Sequence, residues 1–505
     1  MPRKPLFSYN SALTGGLMRM RICAAVVTLW CLCGSVLGQS SDLSKEVKKY
    51  IKVDAPKVVL AHVRVIDGTG APAVEDQNVV IAGGKITAVE KGADMNAIGG
   101  VTLLDLRGYT LMPGIVGMHN HLYTGVRPNL DFEENQEGPV LAQQMTFSSP
   151  RLYLAAGVTT MRTTGSMNPY ADLNLKHAIE AGTLPGPHMD VTGPFLEGAP
   201  AAHIIEQHEL SGPDEARQMV EYWADRGATS FKAYVHITRA ELKAAIAAAH
   251  ERGLKITGHL CSVTYLEAAE LGIDDLEHGF FYNSQLIPDK KADECKPTSI
   301  LYTLEHMDPH GPEANHLIDI LVKHHVAVTS TLPVQENRIA NRVPLRQAVL
   351  DAMSPDAREA YLIARNRAAN PAPQHDFEML LKREMELERA FVAAGGLLMT
   401  GPDSSLYRGN IPGFGDQRGI ELLVEAGFSP TEAIKIATMN GAIYLGRQDQ
   451  IGSIAAGKNA DLALIKGNPA TRISDIENVE IVFKDGVGYD SQKLLDSVKG
   501  HYGQY

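Results

Sequence analysis

The pattern of apolar and polar positions divides the chain into two β-rich ends and a mixed middle. Between residues 57 and 112, short apolar runs alternate with glycine turns, as in KVVLAHVRVI starting at Lys57 and VTLLDL starting at Val101. Residues 447–490 show the same pattern, with ADLALI starting at Ala460. Short runs bounded by Gly, Asn and Pro are typical of strands and hairpins. Both ends of the chain therefore predict β-structure.

From about residue 113 to 446, short apolar strands alternate with helical segments, which predicts βαβ units and a parallel sheet. Eight strands can be assigned: Gly114–Met118, Val158–Thr163, Met189–Thr192, Ser230–Val235, Lys255–His259, Asp275–His278, Val326–Thr331 and Leu397–Thr400. Eight strand–helix units over this length favour an α/β fold of the (β/α)8 TIM-barrel type. A doubly wound sheet is the alternative that the pattern alone leaves open.

The helix signals between these strands also show where the barrel is enlarged. Thr238 and Glu241 form a capping box at the start of one helix. Two stretches, 283–325 and 333–396, are too long for single helical crossovers. We interpret them as insertions in the loops that follow strands, either as ordinary elaboration or as a lid over the site.

The composition fits a soluble globular protein, because 44% of the residues are hydrophobic and 21% are charged. A chain of 505 residues exceeds the usual single domain, which favours one large barrel with a smaller domain. The formal net charge is −12 and no long basic run occurs, so nucleic acid is not expected as a partner.

Residues 1–38 have the form of a secretory signal peptide. Arg19 and Arg21 precede an apolar run over 22–37, and the segment contains no Asp or Glu. This predicts a secreted or periplasmic protein with no stable membrane span after signal cleavage. A buried helix or a single membrane anchor is the alternative interpretation of this run, which is short for a span.

Cysteine usage adds one further expectation. Three of the five cysteines fall in the predicted signal, which leaves Cys261 and Cys295 in the rest of the chain. A single pair is not a disulfide framework. We therefore predict that Cys261 is a small buried apolar residue.

Polar side chains of the kinds that bind metals follow the ends of five predicted strands. In a strand, residues two apart face the same side, so His119 and His121 can both point into the barrel mouth. The full set, in chain order, is His119, His121, Lys232, His259, His278 and Asp403. Barrel enzymes place their sites at this end of the strands, so the six groups are expected to converge.

The chemistry of this set is that of a divalent-metal site. Neutral imidazole and carboxylate are good ligands for zinc and its neighbours. Two such ions about 3.5–4 Å apart can share a hydroxide. The ammonium of Lys232 would repel both ions, so this residue fits the site only if it is neutral or carboxylated.

The ordered set His-x-His, Lys, His, His, Asp on successive strands resembles the amidohydrolase superfamily. The flanking sequences LMPGIVGMHNH (111–121) and GSIAAGKNADLALI (452–465) strengthen the resemblance, which covers about residues 57–490. FKAY (231–234) and AIKIATMNGA (433–442) are similar to the imidazolonepropionase- and prolidase-related branch. The resemblance implies a TIM barrel over 113–446 and a small β-sandwich domain made from 57–112 and 447–490.

The resemblance also implies how the ligands are shared. His119, His121 and Asp403 would hold one divalent ion, and His259 and His278 the other, both ions being zinc. Lys232, N-carboxylated, would bridge them. Asp403 would be the catalytic residue that moves the proton, and family habit implies a homo-oligomer. In a one-metal enzyme, Lys232 would instead pair with Asp403.

The implied reaction is hydrolysis of an amide or peptide bond in a small-molecule or peptide substrate. A dipeptide of the Xaa-Pro type or an N-acyl amino acid is expected first, although lactones, esters and cyclic imides use the same machinery. Four residues are candidates for substrate binding: Tyr123, His203, Tyr234 and His236. Tyr234 and His236 lie two and four positions after Lys232, on one face of the predicted strand.

Two other functions remain as alternatives. Deaminases of this fold usually carry Glu three residues after the fifth-strand histidine, and this chain has Ser262 there. A non-catalytic relative would typically have lost ligands, whereas all six are present.

Overall fold

The structure is a computed structural model that describes residues 42–93, 100–126, 141–200, 206–296, 300–369, 375–404 and 410–503. The predicted signal peptide at 1–38 lies outside these ranges, as does His203. None of the helices in the described ranges is long and apolar enough to cross a bilayer.

Both ends of the chain enter one nine-stranded sheet. Its strands are β1 (Ile51–Val53), β2 (Lys57–Val65), β3 (Val74–Ala82), β4 (Lys85–Lys91), β5 (Val101–Asp105), β6 (Tyr109–Pro113), β17 (Leu462–Lys466), β18 (Val479–Lys484) and β19 (Val487–Asp490). They lie in the order β1-β19-β18-β17-β6-β2-β3-β4, with β5 beside β2. Because β17 pairs antiparallel with both β6 and β18, the C-terminal strands complete the sheet that the N-terminal strands begin.

The middle of the chain forms the predicted (β/α)8 barrel. Its parallel strands are β7 (Ile115–Asn120), β10 (Val158–Thr163), β11 (His188–Leu196), β12 (Ser230–Ala233), β13 (Lys255–Gly258), β14 (Asp275–Glu277), β15 (Ala327–Ser330) and β16 (Leu398–Thr400). They follow one another around the barrel in sequence order, without the reversal that a doubly wound sheet requires. The fold-class prediction is confirmed, and the doubly wound alternative is wrong.

The first and last barrel strands meet beside the predicted site. The backbone amide of Asp403 donates to the carbonyl of His119 across 3.0 Å. A Cβ on Gly401 would lie 2.2 Å from the backbone nitrogen of His119, so only glycine allows this approach. The closure places the ends of β7 and β16 side by side.

Helices and a short hairpin surround the barrel. The hairpin is β8 (Tyr123–Val126) and β9 (Leu141–Gln144). The helices are α1 (Lys45–Lys48), α2 (Ser148–Ala155), α3 (Pro169–Glu180), α4 (Pro213–Ala224), α5 (Arg239–Glu251), α6 (Tyr265–Leu271), α7 (Tyr302–His306), α8 (Pro312–Lys323), α9 (Leu332–Glu336), α10 (Gln347–Ala352), α11 (Pro355–Ala369), α12 (Phe377–Ala393), α13 (Phe414–Glu425), α14 (Pro430–Lys435), α15 (Gly441–Tyr444) and α16 (Ser491–Ser497), with a π-turn at Ile436–Asn440 and a 3-10 turn at Ile473–Glu477. The capping box of Thr238 and Glu241 is formed as predicted.

The predicted insertions end in helices that belong to the barrel wall. α8 contacts α6, and α12 contacts α8 and α9. The extra structure is therefore the turn-rich segment before α7 and the helices α10 and α11. Arg338 lies at the start of the segment that contains α10 and α11. Its guanidinium donates to the hydroxyl of Tyr282 across 3.0 Å.

The prediction for Cys261 is wrong. Its side chain is buried, but it forms a disulfide with Cys295, with the two Cα atoms 5.2 Å apart. The bond joins the loop after β13 to the segment that follows β14. The sequence did not indicate this pairing because the two residues are 34 positions apart and lie in different loops.

Candidate active site

The six predicted side chains lie at the carboxyl ends of the barrel strands. Nε2 of His121 lies 3.2 Å from Oδ1 of Asp403, and Nε2 of His119 lies 3.7 Å from the same oxygen. Nδ1 of His278 lies 3.8 Å from Oδ2 of Asp403. The carboxylate of Asp403 thus stands among three imidazoles.

A buried carboxylate, that of Glu277, holds His119 in one protonation state. Its Nδ1 lies 2.6 Å from Oε2 of the buried Glu277, which fixes the proton on Nδ1 and turns Nε2 towards the site. Burial, together with the charge of Lys232, holds the pKa of His119 well below its usual range. The imidazole is therefore neutral, and a carboxylate sets its ring orientation, an arrangement that is common for histidines in metal sites.

Two of the six residues depend on unusual backbone geometry. His278 and Asp403 have φ values of +66° and +50°, in the left-handed region. Asp275 and Glu277 face the barrel interior on alternate positions of β14, so a continuing strand would point the next residue outwards. The left-handed turn at His278 instead directs its ring into the site, where Nδ1 lies 2.9 Å from the hydroxyl of Thr331.

Asp403 is the acidic centre of the site. Burial alone would raise its pKa, but the hydrogen bond with His121 and the neighbouring His119 and His278 hold the pKa well below its usual range. The group is therefore a carboxylate, a good ligand for a divalent ion and a good acceptor for a proton.

Lys232 lies on β12, between β11 and β13, with its amine in the site. Its Nζ lies 3.3 Å from Nε2 of His119 and 3.3 Å from the carbonyl oxygen of Thr164. The side chain is buried, and this burial lowers the pKa of the amine. The amine is therefore in contact with one predicted ligand, His119.

Aromatic rings line the barrel mouth around His259 and His121. The ring of His259 stacks on that of Tyr282, with the ring centroids 4.3 Å apart, and its centroid lies 4.4 Å from that of the His278 ring. Tyr234 lies edge-on to His259 at 5.0 Å, and Tyr123 lies 4.7 Å from His121. Two of the four predicted substrate-binding residues therefore adjoin predicted metal ligands.

The geometry of His236 differs from the strand-face prediction. β12 ends at Ala233 rather than at Val235, and His236 lies in the turn that follows. Its backbone amide donates to the carboxylate of the buried Glu197 across 2.7 Å. The position is at the barrel mouth, but it is set by Glu197 rather than by the strand period.

The residues fit a metal ion by two observations. Ligand atoms of His119, His278 and Asp403 lie within 4.8 Å of one another. The Nε2 of His278 is buried and has no hydrogen-bond partner in the described part of the chain.

A buried charge network supports the site from inside the barrel. One nitrogen of Arg162 lies 2.7 Å from Asp275 and 2.8 Å from Glu277. The hydroxyl of Thr257 donates to the same Glu277 carboxylate across 2.5 Å. Burial would lower the pKa of Arg162, but the two carboxylates raise it above its usual value, so the guanidinium stays charged.

Sequence reasoning missed this network and the stacking of Tyr282. Asp275 and Glu277 come directly before a predicted ligand, on alternate positions of a strand, and that spacing was an available signal. Arg162 gave no signal, because a lone arginine in a short strand is compatible with many positions.

Comparison with known proteins decides the family. The sequence pattern of the amidohydrolase family matches residues 110–487, which is most of the chain. The chain belongs to the amidohydrolase family. The match includes the barrel and, from the nine-stranded sheet, β17, β18 and most of β6.

Solved structures share this amidohydrolase fold. A Xaa-Pro dipeptidase with methionine bound in its active site has a TM-score of 0.62 and 22% identity, over 86% of this chain and 100% of its own. Ochratoxinase of A. niger has a TM-score of 0.61 and 17% identity, over 87% and 96%. Bottromycin amidohydrolase has a TM-score of 0.62 and 20% identity, over 88% and 91%.

A curated relative covers a smaller part of the chain. The dihydroorotase of Elusimicrobium minutum is 33% identical over 103 residues, which is 20% of this amidohydrolase and 20% of that protein. The match spans about a fifth of either chain, so it bears on part of the fold only.

The contact between His119 and Glu277 gives a first prediction for this amidohydrolase. We expect Glu277→Gln to weaken divalent-metal affinity by about 10- to 100-fold, because it removes the carboxylate that orients a ligand imidazole. The measurement is a zinc titration against a competing chelator. Glu270→Gln, which removes the same charge from an exposed position on α6, is the control. Equal affinity of the two variants would contradict the prediction.

Proposed function

We propose that this amidohydrolase is a binuclear metal-dependent hydrolase of amide C–N bonds that acts as a dipeptidase or an N-acyl amino acid hydrolase. One observation carries the proposal. Three imidazoles, those of His119, His121 and His278, lie around one carboxylate, that of Asp403, at the open end of the barrel. Barrel enzymes carry out their chemistry at this end.

The proposed ligands divide between two ions, both zinc. His119, His121 and Asp403 would hold one ion, and His259 and His278 the other. Lys232 would bridge them as a carbamate, formed when its neutral amine adds to carbon dioxide and releases one proton. The buried amine beside Nε2 of His119 supports this role, because an ammonium there would repel both ions.

The proposed chemistry combines the ions with residues of this chain. When bound, two divalent ions activate water and polarise a substrate carbonyl. Asp403 would accept the proton from the attacking water on a carboxylate oxygen and pass it to the leaving nitrogen. Tyr123 and Tyr234 flank the ligands and would contact the substrate. His203 and His236 remain predicted substrate contacts.

The substrate class rests on the chemistry of the site and on the names of the similar structures. A Xaa-Pro dipeptidase is among them, which favours a dipeptide of that kind as the first substrate to test. Lactones and cyclic imides are the second choice, since a dihydroorotase is similar over part of the chain. A small-molecule or peptide substrate is common to all of these.

The deaminase alternative is not favoured by the residue after the fifth strand. Ser262 occupies the position where the resemblance places a deaminase glutamate, and its hydroxyl donates to the carbonyl of Ile237 across 2.6 Å. It is buried and already satisfied, so it offers no proton-transfer group to a substrate.

We also propose that the protein is exported, to the periplasm or the medium. The predicted signal at 1–38 is the first support. The Cys261–Cys295 disulfide is the second, because such bonds persist mainly in oxidising compartments. A homo-oligomer remains a prediction from the resemblance.

The proposal is tested by metal content and activity on the same sample. The chain from Gln39 is purified with zinc and bicarbonate, its zinc is counted, and cleavage of Xaa-Pro dipeptides and N-acyl amino acids is measured. We expect two ions per chain at the site and cleavage of at least one substrate class. Lys232→Met is expected to lose ions and activity together, because the bridging group is gone.

The outcomes separate the alternatives. One ion per chain at the site in the fully active enzyme would rule out the bridging carbamate and favour the mononuclear form. A folded protein that takes up two ions and cleaves neither amides nor cyclic substrates would favour the non-catalytic relative.

A further inference from the structure

A second group of metal-binding side chains lies at the other end of the barrel. It consists of His188, Asp461 and Asp485, whose ligand atoms all lie within 4.8 Å of one another. His188 is the first residue of β11, so it lies at the amino end of the barrel strands. Asp461 precedes β17, and Asp485 lies in the turn between β18 and β19. The group therefore joins the barrel to the nine-stranded sheet.

The spacing of the three side chains suits one small divalent ion. Nε2 of His188 lies 3.2 Å from Oδ2 of Asp485 and 3.8 Å from Oδ2 of Asp461. Ligand atoms around a tetrahedral zinc with bonds of about 2.1 Å are about 3.4 Å apart, and the two distances bracket this value. One imidazole with two carboxylates is also a donor set that zinc and its neighbours accept.

Two buried atoms in this group make no well-aligned hydrogen bond within the described residues, although one of them lies 3.2 Å from Asp485. They are Nε2 of His188 and Oδ2 of Asp461, which face each other. The side chain of Asp461 is 2% exposed, and its other oxygen accepts from the backbone amide of Asp485 across 2.8 Å. A buried carboxylate oxygen without a donor is costly, so its position facing an imidazole nitrogen points to a ligand between them.

The charged side chains around this group are compatible with a bound cation. Lys484 interacts electrostatically with both aspartates, and Arg447 with Asp485. Arg447 also lies 3.7 Å from Asp190, which offsets part of its charge. The more distant Lys176 and Glu180 carry opposite charges and contact each other. The two aspartates thus balance the charge of one lysine and still carry excess negative charge. The Asp485 side chain is 55% exposed, so an ion can reach it from solvent.

We infer that His188, Asp461 and Asp485 form a structural site for a divalent cation of the zinc type, separate from the catalytic ions. His188 and Phe195 are at opposite ends of β11, and Phe195 pairs with Lys232 of the catalytic group. The two sites are therefore roughly 20 Å apart along the strand. An ion there would connect residues that are far apart in the chain, and it would stabilise the folded state because the unfolded chain does not hold these ligands together.

The test locates and counts zinc in the full chain. Crystals grown with zinc are measured at the zinc absorption edge, and zinc per chain is counted in solution for the wild type, His188→Gln and Asp485→Asn. We expect anomalous density about 2.0–2.2 Å from Nε2 of His188, and a loss of about one ion per chain in each variant. Asp485→Asn changes a largely exposed turn residue, so it is expected to fold, as circular dichroism would verify.

A matched control is available in the same sheet. Nδ1 of His62 lies 2.7 Å from Oδ1 of Asp76, a histidine–aspartate contact outside the group. Asp76→Asn should retain the wild-type zinc count. The inference is overturned if no anomalous density appears beside His188 while the catalytic site is filled. It is also overturned if Asp485→Asn keeps every ion, which would leave the group as an ordinary ion pair of His188.

Discussion

Asp403→Asn is expected to lower kcat/KM for the best amide substrate by about 10²- to 10⁴-fold, the usual contribution of a positioned proton-transfer group. Asparagine keeps the size of the side chain and one carbonyl oxygen, but it cannot accept the proton. The structure places Asp403 among His119, His121 and His278, so the substitution also removes the negative charge at the centre of the site. Steady-state kinetics with zinc held in excess measures the effect.

Two comparisons make this result specific. Asp496→Asn, at an exposed residue of α16, is expected to keep wild-type activity and controls for the loss of one carboxylate. Zinc counts on Asp403→Asn distinguish loss of proton transfer from loss of an ion. If Asp403→Asn retains its ions and wild-type kcat/KM, the proposed catalytic role of this residue is wrong.

Arg162→Leu is expected to destabilise the protein by about 3–5 kcal/mol, because it leaves two buried carboxylates without their cation. Arg162, Asp275 and Glu277 are fully buried, so solvent can reach the two carboxylates only if the barrel opens. Burial already raises the pKa of Asp275 to about 7, even with the arginine present. Urea or thermal unfolding at neutral pH measures the loss.

A surface pair provides the matched control for Arg162→Leu. Arg252 lies 3.2 Å from Asp225, and both side chains are partly exposed. Arg252→Leu is expected to cost at most about 1 kcal/mol, since water solvates the aspartate that remains. Arg162→Lys would keep the charge but lose the hydrogen bond that Nε donates to the carbonyl of Met118, so its stability should fall between those of wild type and Arg162→Leu. Equal losses for Arg162→Leu and Arg252→Leu would show that the buried network does not stabilise the barrel.

The barrel architecture and the candidate site residues could be predicted from the sequence alone. All eight predicted barrel strands are present. They could be predicted because short apolar runs between capped helices are local features of the sequence. The order of His119, His121, Lys232, His259, His278 and Asp403 on successive strand ends also follows from the chain, since parallel strands bring these ends to one face.

The contacts that hold those residues in place could not be predicted from the sequence. The ring of His278 faces the site because of a left-handed turn, and Glu277 on β14 orients His119 on β7, although two other strands separate them around the barrel. The Cys261–Cys295 bond and the group around His188 join segments that are distant in sequence. Local patterns report periodicity and turn chemistry, whereas such contacts depend on which loops the closed barrel and the completed sheet bring together.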